Sequence, residues 1–278
     1  MKRTVLIFLI MMLTATGWSQ SAARHSSTSK GSVYISWGWN RAIYTNSNIW
    51  FKGGDYNFVL YQVKAHDRPT FPVSYHNYLQ PNRLTIPQTN FRMGYFIKDN
   101  LAIVIADDHM KYVMDNGQDV MMKGTITRPG KFFGTYSGPK TLTRDFLLFE
   151  HTNGLNYLNV EIEKYYTWHH SAKGTQVSGI LGGGTGILYP KTDVTLMDYP
   201  ENDQFHVTGF GFSARAGVRV TFMDRVFAKL ENKVGYINMP DILLHASDIK
   251  GGAHQAFCYT QFTGMIGFSL NTGKKHKK

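Results

Sequence analysis

Residues 207–222, VTGFGFSARAGVRVTF, alternate along their whole length. Phe210, Phe212, Val218, Val220 and Phe222 take one parity; Gly209, Gly211, Ser213, Arg215, Gly217 and Arg219 take the other. A period of two marks a strand whose two faces meet different surroundings. After the turn MDR the alternation resumes in VFAKLENKVGY, residues 226–236, and it returns in the last segment, AFCYTQFTGMIGFSL, residues 256–270. Upstream, LNYLNVEIEKYYTW (155–168) and TQVSGILGGGTGILY (175–189) flank the connection HHSAKG. NFRMGYFIKDNLAIVIADDHMKYVM (90–114) reads as a hairpin turning at KDN, and SVYISWGWN (32–40) is the first alternating segment. These segments predict an all-β chain of eight strands. Residues 44–89 leave an alternative of ten: YNFVLYQVKAHDR offers a further strand, but its partner would come from YHNYLQPNRLTIP, whose two prolines suit a strand poorly.

The choice of faces follows from the glycines. Glycine on the water-exposed face of a strand weakens it and packs against nothing. If the apolar parity faces hydrocarbon instead, the other parity lines the tight interior of a small barrel, where small residues make room for large ones. An arginine facing lipid near the midplane costs about 2–4 kcal/mol, and Arg215 and Arg219 share the glycine parity. The expected fold is therefore a closed antiparallel transmembrane β-barrel. KDN, HHSAKG and MDR are short, whereas the connections near 115–153, 191–205 and 239–253 are long. That asymmetry matches short periplasmic turns and long outer loops.

The N-terminus fits this location. MKRTVLIFLIMMLTATGWSQ, residues 1–20, has two basic residues, a short apolar run and small polar residues, the layout of a secretory signal. The run is too short for a retained spanning helix. The mature barrel is expected over 31–270 and a basic tail over 271–278. Of the formal net charge of +11, Lys2 and Arg3 contribute two, leaving +9 after export. An exported basic chain points away from nucleic acid and toward outer-membrane lipid and lipopolysaccharide phosphates. The single cysteine, Cys258, excludes an intramolecular disulfide framework.

With this signal segment, the hairpin MGYFIKDNLAIVIA and the final strand FTGMIGFSL, the chain resembles the small outer-membrane β-barrel proteins of diderm bacteria, in the broad OmpA-like and OmpW-like class. The resemblance implies an integral outer-membrane location and an aromatic-rich last strand presented to the assembly machinery. Phe268 is followed by ten further residues, a departure from an aromatic at the very end.

Two sets of residues carry candidate chemistry. The inward parity predicts a polar network of Arg92, Lys111, Glu161, Glu163, Arg215, Arg219, Lys229, Glu231 and Lys233. An eight-stranded interior is just wide enough for such side chains to fill, and opposite charges there must pair. The second set lies toward the outer rim: His66 beside Asp67, Asp107 and Asp108 beside His109, and Glu150 beside His151. A His–Asp pair facing further aspartates resembles the water-activating arrangement of omptin proteases. A histidine with an acidic orienter and a hydroxyl would suit a lipid A deacylase or acyltransferase. In this register Asp107 shares the wall of His109 and Asp108 is expected toward lipid or in a bulge. HHSAKG lacks further ligands at metal spacing, and LGGGTG lies mid-strand without a following helix, so neither metal nor cofactor is expected. Three readings follow: a filled barrel for surface binding, adhesion or membrane support; a rim enzyme acting on lipid A or polypeptides; and a narrow solute channel. The external ligand is unspecified in each.

Overall fold

The computed structural model describes residues 26–70, 74–78, 88–245 and 250–271. The expected signal segment and all but the first residue of the basic tail lie outside these residues. The strands are β1 (Ser32–Tyr44), β2 (Ser47–Gly53), β3 (Tyr56–Val63), β4 (Ala65–His66), β5 (Thr89–Lys98), β6 (Leu101–Met114), β7 (Asp119–Ile126) and β8 (Gly134–Thr141). They continue with β9 (Leu147–His170), β10 (Gln176–Leu188), β11 (Lys191–Leu196), β12 (Asn202–Phe205), β13 (Gly209–Phe222), β14 (Val226–Leu243) and β15 (Gly251–Asn271). All pair antiparallel in one 15-stranded sheet.

Eight of them form a cycle of pairings: β1–β5–β6–β9–β10–β13–β14–β15, with β15 pairing again with β1. These are the eight segments whose alternation is clearest. Their buried parity points into the cycle and their apolar parity points out. On β14, Phe227, Lys229, Glu231 and Lys233 are buried, while Leu230 between them is 73% exposed. On β9, Glu161 and Glu163 are buried, while Ile162 is 58% exposed. Glycines on the inner parity supply room. A Cβ at Gly184 would meet the backbone of Val160 and the side chain of Glu161, and one at Gly217 would meet Leu230 O and the Glu231 side chain. The KDN and MDR turns and the 171–175 connection lie at one end, here the turn end. At MDR, Met223 and Asp224 both take positive φ, 51° and 55°, which matches the twist of a tight hairpin.

The connections expected as long loops are instead mostly strands. At the end opposite the turns, β2 pairs with the start of β15, then β3, β7 and β8 follow in order. β11 pairs with the first residues of β9 and with β12. Residues 44–89 therefore hold strands β2, β3 and β4, with β3 paired to β2 on one side and β7 on the other, while most of the proline-containing segment lies outside the described residues. Together with the prolonged ends of β6, β9, β14 and β15 these strands form a cap. Its interior is apolar and continuous: Phe51, Phe58, Leu60, Phe146, Phe149 and Ile242 belong to one buried cluster. Each such side chain contributes about 1.5–3 kcal/mol by leaving water.

Candidate functional site

The interior of the cycle is layered. Nearest the turn end, Ser27 and Thr28 are buried in the mouth, where Ser27 accepts a hydrogen bond from Arg219 Nη2 at 3.1 Å. Arg219 also donates to Ser269 Oγ at 2.7 Å and Thr221 Oγ1 at 3.0 Å, and its guanidinium sits 3.8 Å from the Phe227 ring centroid. A small aromatic floor of Tyr34, Phe96, Tyr165 and Phe227 lies beside it.

Beyond the floor is the ion network. Arg92 reaches Asp108 at 3.1 Å, Glu161 at 3.0 Å and Glu231 at 3.4 Å. Arg215 reaches Glu161 at 2.8 Å and also pairs with Glu163 and Glu231. Lys233 binds Glu161 at 2.5 Å and pairs with Asp108, while Lys229 lies 3.7 Å from Glu163 and 3.6 Å from Glu231. Arg92, Arg215, Lys229 and Lys233 thus face Asp108, Glu161, Glu163 and Glu231, all with side chains at most 1% exposed. Within this network four cations meet four carboxylates, as burial demands, because an unpaired ion in this interior costs several kcal/mol; the fifth inward cation, Arg219, is held instead by three hydroxyls and the Phe227 ring. Asn40, Asn90 and Asn159 continue the network: Asn40 Nδ2 donates to Asn90 Oδ1 at 2.7 Å, and Asn159 Nδ2 to Asp108 Oδ2 at 3.1 Å. Tyr44, Tyr112, Tyr157 and Tyr259 then lead into the cap core.

Two residues depart from the expected register. Asp108 points inward and is fully buried, bridging Arg92 and Lys233, so it does not face outward. Lys111 points outward with Asp107 and His109, and its ammonium donates to Thr70 Oγ1 at 3.2 Å, away from the network. The cause is local. β6 packs Ala102, Val104 and Ala106 against the interior while Ile103 and Ile105 lie outside, so both of its faces are apolar and its alternation names neither.

The rim candidates are not brought together. His66 pairs with Asp115, Nδ1 to Oδ1 2.5 Å, and its neighbour Asp67 is held by Gln88 and by the Ala42 amide at 3.3 Å. Burial pushes the Asp67 carboxyl up. His109 Nδ1 lies 2.8 Å from Asn156 Oδ1. Glu150 takes Arg68 at 3.0 Å and the Thr152 hydroxyl at 3.0 Å. His151 is fully buried in the cap, 2.8 Å from the Thr192 hydroxyl and against Tyr112 and Phe149. Burial pushes its pKa down to about 3, so it is neutral at ordinary pH. Asp107 faces outward and pairs in register with Phe91 and Leu158. Among the described residues no three His, Cys, Asp or Glu side chains are grouped to hold a metal ion.

The cap has its own polar knot, which no motif announces. The Tyr56 hydroxyl lies 2.7 Å from His245 Nε2, Tyr199 donates to Asp55, and Arg128 bridges Asp55 at 3.4 Å and Asp198 at 2.7 Å while stacking on Tyr199 at 4.1 Å. These residues come from segments up to 189 positions apart, so no local spacing could reveal them.

No protein-family model matches the chain, and no curated protein does. Among solved structures it is similar to the outer membrane protein OprG from Pseudomonas aeruginosa, at 10% identity over 89% of this chain and 100% of that one, with a TM-score of 0.43. It is also similar to Ail, the attachment invasion locus protein of Yersinia pestis, at 10% identity over 87% and 99% of the two chains, TM-score 0.35. A third is Neisserial surface protein A, at 10% identity over 86% and 99%, TM-score 0.37. Roles for individual residues therefore come from this chain alone.

Proposed function

We propose that this is an integral outer-membrane protein in which the eight-strand cycle is a closed transmembrane barrel. In this reading the barrel is a sealed, non-enzymatic anchor that holds the cap at the cell surface as a binding platform. The turns face the periplasm, and the cap stands beyond the outer leaflet. The observation that carries this reading is the inverted distribution of side chains. Outside the cycle are Ile103, Ile162, Phe212, Leu230 and Ile266, all exposed, while the charged side chains are inside, with Arg92, Arg215 and Lys233 paired to Glu161. In water such an outer face would be a large uncovered apolar surface, which soluble proteins rarely keep; in a bilayer it is the contact with acyl chains. Tyr166 and Trp168, exposed near the turn end, suit the interfacial aromatic belt.

The anchor reading is favoured over a channel because the interior is occupied throughout, from Ser27 and Arg219 through the ion network to the apolar cap core. It is favoured over catalysis because His66, His109 and His151 each have a separate partner and face separate surroundings. Outer-membrane lipid, lipopolysaccharide and the assembly machinery are the partners this placement implies, with a further ligand met by the cap.

Two measurements test the reading. Density fractionation of cells should place the chain with the outer membrane, with migration on gels that changes on heating; recovery in the soluble periplasm would overturn it. Purified protein in planar bilayers should give no discrete conductance steps, and regular openings would replace the sealed anchor with a channel.

A further inference from the structure

The outward wall of the cycle is not uniform. On β6 and β9 its side chains are large, such as Ile105, Leu158 and Val160. Across β13, β14, β15 and β1 it sinks to a floor of Ala214, Cys258 and Thr260, walled by Ile43, Phe212 and Val234, leaving a notch of about 680 Å³. Directly beyond it toward the cap lies a hollow of about 350 Å³ with Asn46, Asn48, Trp50, Gln62 and His254 around it. The two are neighbours along the same strands: Thr45 borders the first and Asn46 the second, and Cys258 and Ala256, successive outward residues of β15, border one each. Both volumes fall in the range of roughly 300–1,000 Å³ typical of ligand sites. Along one trough the lining thus changes from apolar to amide-rich within a residue or two.

We propose that this trough binds one glycolipid of the outer leaflet, lipopolysaccharide, with an acyl chain in the notch and the sugar headgroup in the hollow. The proposal rests on the membrane placement given above. The occupant follows from the polarity step. The notch continues the hydrocarbon-facing surface, so an acyl chain is what meets it, and the small floor lets that chain lie deeper than elsewhere on the wall. The hollow begins where the apolar wall ends, at headgroup level, and offers neutral amide and imidazole groups suited to hydroxyls. Asn48 Oδ1 accepts the backbone N–H of Gln62 at 3.0 Å, and His254 Nε2 lies 2.9 Å from Asn238 Oδ1. The Asn48 side-chain NH2 and His254 Nδ1 are engaged by no other described residue in these hydrogen bonds. Trp50 is held through its indole N–H, which donates to Asn57 Oδ1 at 2.7 Å, leaving the ring at the interface where amphipathic aromatics settle. Lys52, 5.7 Å from that ring, supplies a cation for a phosphate on the sugar. Several hydrogen-bonding groups against one cation fit a phosphorylated sugar better than the compact phosphate of a glycerophospholipid.

The test uses the full chain purified in detergent and incubated with hexa-acylated lipid A or with phosphatidylethanolamine, bound lipid being counted by native mass spectrometry. One lipid A per chain is expected to remain, with phosphatidylethanolamine retained at least about tenfold less. Ala214→Phe with Thr260→Phe fills the notch, and retention of lipid A should fall about tenfold or more. Asn48→Ala with His254→Ala, both exposed and remote from either core, should lower it about tenfold. Ile105→Phe, on the opposite wall, should leave it unchanged. Equal retention by both double variants overturns the site, and equal retention of phosphatidylethanolamine overturns the glycolipid. Flotation of each variant with liposomes is read separately: failure of the native chain to float would sink the membrane placement itself.

Discussion

The inside of the cycle and the inside of the cap are opposites built from the same strands. Along the inward parity of β14, Lys229, Glu231 and Lys233 are buried among ions, and four and six residues after Lys233, Ile237 and Met239 are buried in the apolar cluster. β9 shows the same change in reverse, from Phe149 in the cap to Glu161 and Glu163 in the network. The outer faces invert as well: Leu230 and Val234 are exposed on β14, whereas the exposed positions of β2 include Asn48 and Lys52. Side chains sort by contrast with what surrounds the wall. In the proposed placement the cycle's exterior is hydrocarbon, so apolar burial there yields no gain and the interior can be polar; the cap's exterior is water, and the hydrophobic effect fills its interior with Phe and Leu. The tyrosines at the junction, with an apolar ring and a polar hydroxyl, suit both: Tyr112 takes Gln255 Nε2 at 2.6 Å while stacking on Phe257.

Single substitutions should break the two regions by different routes. The largest effect is expected for Glu161→Leu, which leaves Arg92, Arg215 and Lys233 short of a partner; a loss of about 3–5 kcal/mol should appear in urea titrations of the folded, heat-modifiable form. A shift below about 1 kcal/mol would mean that the network is hydrated rather than dry. Leu60→Ala in the cap should cost about 2–5 kcal/mol through the lost transfer term and the cavity it opens. That loss should stay local, read as faster protease nicking of the cap with the heat-modifiable band intact; simultaneous loss of both would show that the regions unfold as one.

Acid should also separate them. His151 is buried neutral with its pKa near 3, whereas the unfolded chain takes up that proton at about 6.5. Cap stability from this group is therefore full above about pH 7 and falls as pH drops from 6.5 toward 3, by about 1.4 kcal/mol per unit. His151→Gln should flatten that slope in protease-protection curves taken against pH, and an unchanged slope would assign it to another group. The smallest effect is expected at Lys191, whose pair with Asp203 at 2.6 Å lies at the surface. Lys191→Ala should shift the cap's unfolding midpoint by about 0.2–1 kcal/mol, and less in high salt.

The strands of the cycle were legible because each declares itself locally. Residues 207–222 alternate, and β13 runs Gly209–Phe222. Arg92, Glu161, Glu163, Arg215, Arg219, Lys229, Glu231 and Lys233 sit inside because they share the parity of the glycines or of one another. Asp108 and Lys111 were not legible, since the run LAIVIA is apolar on both faces and one residue of register exchanges them. The cap was legible only in fragments: Ile49 and Phe51, or Val120 and Met122, alternate over stretches too short to separate a strand from a loop.

By itself the sequence determined which segments of the cycle extend and which of their residues share a face, because both depend on a period of two that needs no distant partner. Tertiary structure alone decided which segments meet. It joined Asp108 to Lys233 across 125 positions, set β2 beside β15 and β3 beside β7, and placed the notch and the amide hollow end to end. Those choices rest on long-range closure and on the pairing of buried charges, which no local pattern encodes.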